Sequence, residues 1–264
     1  MRSFSVWVAA LIAILPVGEA GSQQPLAEND AVAGIFTAEG VDATLVVATA
    51  AGKILHVYNE PRAKTRFSPA STFKIPNTLI GLDSGSVSSS DSTFIWDGKD
   101  RGVSAWNRDH TLKSAFAVSC VWCYQQIARE VGAARYESAL ADIDYGNQQV
   151  GEQVDQFWLN NDLQISAIEQ IAFLRNVYNY SLPFANEHVD ILKDIMLVEE
   201  TPDYVLRAKS GWTGGELAVG WYVGFVEKGE DAWLFAMNMK MERAEQAPLR
   251  RDLTVRSLQA IGIL

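Results

Sequence analysis

Ser71 and Lys74 stand three positions apart in Ser71-Thr72-Phe73-Lys74. On a helix such a pair shares one face. A serine hydroxyl attacks a carbonyl only when a base takes its proton. A lysine amine can be that base once its own proton is removed or replaced. The preceding Ser68-Pro69-Ala70 reads as a helix start, with Ser68 as N-cap and Pro69 at the first helical position, where no backbone donor is needed. A helix start also supplies unpaired backbone N–H groups that favour a developing negative charge. One short motif therefore offers a nucleophile, a candidate base and part of an oxyanion site. A Ser-x-x-Lys pair arises about once by chance in a chain of this size, so its partners decide its meaning.

Candidate partners lie on other segments. Ser119-Cys120-Val121 puts a hydroxyl between two helical stretches; by default a mid-helix serine bonds back to a carbonyl. Lys209-Ser210-Gly211 closes a strand and suits anion binding, since glycine admits a substrate close to the backbone. Alone it reads as a solvated turn, and Tyr145-Gly146-Asn147 is turn chemistry too. Cys120 and Cys123 have C-x-x-C spacing, but no second pair exists and His56, His110 and His188 are scattered. That argues against a zinc site. The cysteines read as packed thiols beside an apolar helix, with a geometrically tight i, i+3 disulfide as the alternative in an oxidising compartment.

These side chains need a frame. Residues 43–59 read as a β-hairpin around Ala50-Ala51-Gly52-Lys53. Residues 68–82 read as a helix that Pro76 should kink, and 84–92 as an exposed Ser-rich loop. Helical material runs over 113–131 and ends at Gly132. Ser166 with Glu169 is a capping box that starts a helix to Tyr178, and a further helix spans 187–198. Tyr204 to Ser210 reads as a strand. Residues 220–227 and 232–241 pair as a hairpin across Lys228-Gly229-Glu230-Asp231, and Pro248 or Leu249 opens a last helix to Ile261. Strands at both ends flank a helical middle. The economical architecture is an antiparallel sheet joined by the first and last segments, with helices on its faces and a helical subdomain inserted.

The 264 residues are 48% hydrophobic and 20% charged, enough for one core or a closely fused pair. A net charge of −10 argues against nucleic acid or anionic membrane partners. Eight tryptophans suggest aromatic pockets as well as core. Arg2, the apolar residues 6–17 and Gly18-Glu19-Ala20 read as a secretory signal. Cleavage is expected after Ala20, leaving residues 21–264 as the exported domain.

Taken in order, several stretches resemble the active-site-serine penicillin-recognising enzymes, and within them the class D (oxacillinase-type) β-lactamases. They are Phe67-Ser68-Pro69-Ala70-Ser71-Thr72-Phe73-Lys74-Ile75-Pro76-Asn77, Trp106-Asn107-Arg108-Asp109-His110, Ser119-Cys120-Val121, Tyr145-Gly146-Asn147, Phe157-Trp158-Leu159 with Ile165-Ser166, Lys209-Ser210-Gly211 and Gly220-Trp221-Tyr222-Val223-Gly224. Related Ser-x-x-Lys and Lys-Thr-Gly signatures mark class A enzymes and penicillin-binding proteins. The resemblance implies an α/β fold of the α+β type, as in β-lactamases and penicillin-binding proteins. It implies that Ser71 attacks the β-lactam carbonyl and becomes acylated. Lys74 would carry a carbamate derived from carbon dioxide and act as general base. An ammonium cannot react with carbon dioxide, and burial keeps a lysine neutral; Phe73, Val121, Trp158 and Leu159 would form that pocket. The Trp158 indole N–H would donate to the carbamate. Ser119 would relay a proton to the leaving nitrogen, Lys209 would set the electrostatics, and Ser210 and Arg250 would meet the substrate carboxylate, with Arg251 adjacent. Backbone N–H groups of Ser71 and Trp212 would form the oxyanion hole. No metal and no dissociable cofactor is implied. The partner would be a small β-lactam met in the periplasm, and monomer and homodimer stay open.

Two features depart from the family. Position 210 is Ser where Thr is frequent, which keeps the hydroxyl and loses the methyl. Cys120-Val121-Trp122-Cys123 is not a hallmark. Substrate range is expected to depend on the loops over 96–107 and 212–220. A β-lactam sensor domain and a peptidoglycan D,D-peptidase of the same fold are the alternatives. A sensor belongs to a membrane receptor, of which this sequence shows only the signal-like segment, and Trp158 suits a water-activating hydrolase better than a peptidase.

Overall fold

The computed structural model describes residues 29–264. The expected signal segment and its cleavage position after Ala20 lie outside them. The described residues open with α1 (Asp30–Glu39), followed by β1 (Ala43–Thr49), β2 (Ile54–Tyr58) and α2 (Glu60–Lys64). A 3₁₀ turn over Ala70–Phe73 leads directly into α3 (Lys74–Ser84). Two short strands, β3 (Thr93–Phe94) and β4 (His110–Thr111), precede α4 (Leu112–Ala117), α5 (Val121–Val131), α6 (Ala133–Asp142), α7 (Ala167–Tyr178) and α8 (Asn186–Ile195). The chain returns to strands with β5 (Leu197–Glu200), β6 (Val205–Trp212), β7 (Val219–Lys228) and β8 (Asp231–Lys240), and ends in α9 (Ala247–Ala260).

The first strand and the last pair with each other. The order β2-β1-β8-β7-β6-β5 is antiparallel throughout, with β1 against β8 from Ala43↔Met239 to Thr49↔Trp233. Successive side chains on a strand face opposite sides, so the sheet divides the core. Val46, Ala48, Val223, Phe225, Leu234 and Ala236 join the large cluster under the helical layer. Leu45, Val47, Tyr222, Val226, Phe235 and Met237 pack beneath α1 and α9. Arg256 on α9 bonds Glu39 on α1 at 2.9 Å and ties these two helices together. The expected architecture holds: an antiparallel sheet closed by its first and last segments, with helices on both faces and a helical block between β2 and β5.

Local departures have physical reasons. Ser68 does not cap a helix; its hydroxyl donates to the Trp158 carbonyl at 2.7 Å. Pro76 does not kink α3, because it falls in the first turn, where its missing N–H removes no helical bond. The expected helix over 187–198 stops at Ile195, and residues from Leu197 turn into edge strand β5, recruited by Arg207 and its neighbours on β6. Cys120 and Cys123 are not packed thiols but a disulfide with Cα atoms 5.6 Å apart. Cys120 is the non-helical N-cap of α5 (φ −52, ψ 111), so the bridge spans a helix start instead of two positions within a helix.

Candidate active site

Three elements deliver the reactive atoms, and two of them turn through left-handed backbone. Ala70 has φ 49, a conformation that costs an L-residue on the order of 1 kcal/mol or more and persists only where neighbours impose it. Here the Ala70 N–H donates to the Trp158 carbonyl at 3.1 Å beside the Ser68 hydroxyl, and the Trp221 indole donates to the Ser68 carbonyl at 2.9 Å. The turn that carries Ser71 is thus clamped from both sides. Lys74 follows as the first residue of α3, and its Nζ lies 3.3 Å from Ser71 Oγ. The helix-face geometry expected for the pair is present, although the turn between them is 3₁₀.

The surroundings of Lys74 are aromatic. The residue is 1% exposed. Phe73 stacks on Trp158 at 5.4 Å, and both are wholly buried. The Tyr124 ring lies 4.7 Å from the amine, while its hydroxyl pairs with Thr78 Oγ1. Burial, and secondarily the charge of Lys209, holds the Lys74 amine well below the ordinary lysine range.

A second serine–lysine pair faces the first. Ser119 has φ 55 in the break between α4 and α5. Lys209, on β6, donates from Nζ to Ser119 Oγ at 2.5 Å and to the Ser210 carbonyl at 3.0 Å. It is 4% exposed. Burial, then the charge of Arg250, pushes its pKa down to about 7.

Between the pairs opens a cleft of about 260 Å³. Of the residues singled out from the sequence, Ser71, Ser119, Val121, Leu159, Ser210, Trp212 and Arg250 line it. Phe73, Trp158, Lys74 and Lys209 lie buried around them. Val103 and Trp106 complete the wall from the 96–107 loop. Trp106 is held by its indole N–H on the Val118 carbonyl and by the Trp122 indole on its own carbonyl, each at 2.9 Å. Arg250 donates to the carbonyls of Gly211 (2.5 Å) and Ala247 (3.0 Å). Burial lowers its pKa to about 10, so it stays a cation at neutral pH. Arg251 turns away and bonds Glu199 at 2.5 Å, outside this cleft. The same chain position therefore offers two arginines, of which one reaches the site.

Gly211 plays a part that sequence reasoning missed. A Cβ there would stand 3.0 Å from the Pro69 carbonyl and 3.2 Å from the Ser71 nitrogen. Its bare backbone lets β6 lie against the nucleophile's own turn. Substrate approach is the expected reason for a glycine here, and this contact adds a second. Among the described residues that line the cleft there is no carboxylate and no histidine. Any base for Ser71 must come from an amine or from something built on it.

Over residues 43–254 the chain matches the family described as the penicillin binding protein transpeptidase domain. It is 37% identical to beta-lactamase OXA-10 of Pseudomonas aeruginosa, over 100% of this chain and 99% of that protein. It is 44% identical to beta-lactamase OXA-48 of Klebsiella pneumoniae over 78% of each chain. Among solved structures, FUS-1 (OXA-85), a class D beta-lactamase from Fusobacterium nucleatum subsp. polymorphum, superposes with a TM-score of 0.87 at 36% identity, covering 90% of this chain and 100% of that one. The class D beta-lactamase YbXI from Nostoc gives 0.86 at 38% identity, covering 88% and 99%. A buried serine–lysine corner on a transpeptidase-type sheet and relatives that span nearly the whole sequence lead to one conclusion: the chain belongs to the class D β-lactamases.

Proposed function

We propose that this protein hydrolyses β-lactam antibiotics, penicillins and oxacillin-type compounds among them, through an acyl-enzyme on Ser71 with Lys74, carboxylated by carbon dioxide, as general base, and that it thereby confers resistance. The observation that carries this reading is the Lys74 amine. It is 1% exposed, 4.7 Å from the Tyr124 ring, 3.3 Å from Ser71 Oγ, and depressed well below the lysine range by burial. A neutral amine attacks carbon dioxide; the N–C bond forms, one proton leaves, and the product is a carbamate anion that can take a proton from a hydroxyl.

The chain's own groups then divide the work. Lys74 in this form accepts the Ser71 proton while Oγ attacks the lactam carbonyl. The developing oxyanion faces the backbone N–H groups of Ser71 and Trp212, a device worth roughly 3–4 kcal/mol per donor. Ser119 passes a proton to the lactam nitrogen as the C–N bond breaks. Lys209, bonded to Ser119 and with a pKa near 7, is suited to replace that proton. Ser210 and Arg250 receive the substrate carboxylate. In the second half Lys74 deprotonates the water that attacks the Ser71 ester. Phe73, Val121, Trp158 and Leu159 keep the base dry, and the Trp158 indole N–H steadies it. No metal and no dissociable cofactor enters this scheme. Its compartment is the periplasm, which the exported chain reaches after loss of residues 1–20.

Intact-mass analysis over time after mixing with a penicillin tests the reading. One penicilloyl adduct on Ser71 should appear within the dead time and decay as substrate is consumed. An adduct that persists would place the protein with β-lactam sensors or D,D-peptidases, and no adduct would remove the acyl-enzyme altogether.

A further inference from the structure

Cys120, Cys123 and His110 converge at a place that the hydrolytic scheme does not use. Their ligand atoms, two Sγ and one ring nitrogen, lie within 4.8 Å of one another, and all three residues are buried. His110 is 2% exposed. Its Nδ1 lies 3.0 Å from Ser114 Oγ, the ring interacts with the Ala105 backbone, and its buried Nε2 makes no well-formed hydrogen bond among the described residues. A buried ring nitrogen whose hydrogen bond is poorly formed has a lone pair that a ligand can take. On the cysteine side, the Cys123 N–H donates to Cys120 Sγ at 3.3 Å across the first turn of α5. An N–H···S bond at a helix N-terminus favours a thiolate on that sulfur. The Ser114 contact fixes the imidazole, as the outer partners of metal-bound histidines do.

We propose that, once the Cys120–Cys123 bridge is reduced, Cys120, Cys123 and His110 bind a single thiophilic d¹⁰ cation, Zn²⁺ or Cu⁺, through two thiolates and one imidazole. Reduction needs a dithiol of the exported compartment. Two electrons pass from it, the S–S bond breaks, the reductant closes its own disulfide, and two protons end on the cysteines. The cation then displaces those two protons as two metal–sulfur bonds form. Two thiolates and an imidazole suit both ions. Three donors complete a trigonal Cu⁺ site, whereas Zn²⁺ takes a water as a fourth. A groove of about 380 Å³, with Ile95, Arg108, Asp109 and Ser114 in its wall, reaches His110, although neither cysteine lines it. Disulfide and metal are thus alternative occupants of the same sulfurs, one residue from Ser119 and beside Val121 of the cleft.

The test uses the full chain. The protein is reduced with a phosphine, freed of it without air, and titrated with Zn²⁺ or with Cu⁺ held in a weak chelator, with native mass spectrometry as the readout. The reduced chain should take up one ion and weigh two protons less than apo protein plus ion, and the oxidised chain should take up none. Uptake of either ion supports the site and tells which it prefers. His110→Ala should weaken binding at least about tenfold, and the double substitution Cys120→Ser/Cys123→Ser should abolish it. Equal uptake by oxidised and reduced protein, uptake by the double variant, or no uptake by the reduced chain would overturn the proposal. So would a reduced chain that has lost its cooperative melt, since the donors would then have no frame.

Discussion

Two serine–lysine pairs share one cleft and are built in opposite ways. Ser71 and Lys74 belong to a single turn, and the chain delivers them together. Ser119 and Lys209 are 90 positions apart and meet only because β6 runs beside the break between α4 and α5. Both amines are buried and both are depressed, Lys74 well below the lysine range and Lys209 to about 7. Their partners differ. The Lys74 amine faces the Tyr124 ring and one hydroxyl, whereas that of Lys209, more distant from the Phe116 ring, donates to a hydroxyl and a carbonyl. Burial alone therefore does not assign a role. On the proposed mechanism, what faces the nitrogen does: the Lys74 amine takes up carbon dioxide, and the Lys209 amine, held by acceptors, hands on a proton.

The comparison breaks most sharply at Lys74. Lys74→Ala should lower turnover by on the order of 10⁴-fold, the upper end of general-base effects, and leave at most slow acylation visible by mass; near-normal hydrolysis would end the assignment. Lys209→Met should cost less, about 10²-fold in kcat, and added bicarbonate should not rescue it. Rescue by bicarbonate would mean that the two lysines do not divide the work. Trp158→Phe sharpens the first pair alone. Loss of one hydrogen bond to the base predicts about a tenfold drop, partly restored by bicarbonate, with weaker retention of labelled carbon dioxide. Activity of the unaltered protein should likewise fall in acid, as the amine regains its proton, and recover with bicarbonate.

The smallest effect is thermodynamic. An unfolded lysine titrates near 10.4, and Lys209 in the fold near 7. Between about pH 7 and 10 the unfolded chain holds a proton that folded Lys209 lacks. Stability should therefore rise with pH across that window, by at most about 1.4 kcal/mol per pH unit from this group. In denaturant titrations at pH 7 and 9, the unaltered protein should gain on Lys209→Met as pH rises. Equal differences at the two pH values would show that the Lys209 pKa is not depressed.

The two pairs also mark how far residue spacing alone could be read. Ser71 with Lys74, the Ser166–Glu169 capping box and the hairpin across Gly229 are local patterns, and the structure contains each of them. The pairing of first and last strands followed from strands at both ends of the chain. What stayed hidden depends on distant neighbours. The hydroxyl of Ser68 has the chemistry of an N-cap, yet the Trp158 carbonyl, 90 positions away, takes it. Leu197 and Val198 continue a helical pattern until β6 offers them an edge. Left-handed Ala70 and Ser119 have no propensity that announces them, since tertiary clamps impose the conformation. Because Ser119 breaks the helix, Cys120 becomes a cap, and the disulfide that looked cramped on a continuous helix fits. Helices α1 and α6 carry short and modest apolar patterns and become recognisable once packed.

The pairing of β1 with β8 sets a condition on how the enzyme comes into being. Strand β1 is complete by Thr49, but its central partner begins at Asp231. A chain emerging from the ribosome or a translocation pore cannot close its sheet until nearly all of it has arrived, and contacts this remote in sequence make for slow folding. Ser71 lies near the start of that gap and Lys209 near its end, so a part-made chain holds no half-working cleft. It does hold an unpaired hydrophobic strand edge, which is an aggregation hazard for as long as the wait lasts. Activity therefore arrives late and all at once, and yield in the cell should be governed by how that waiting strand is kept from the wrong partner.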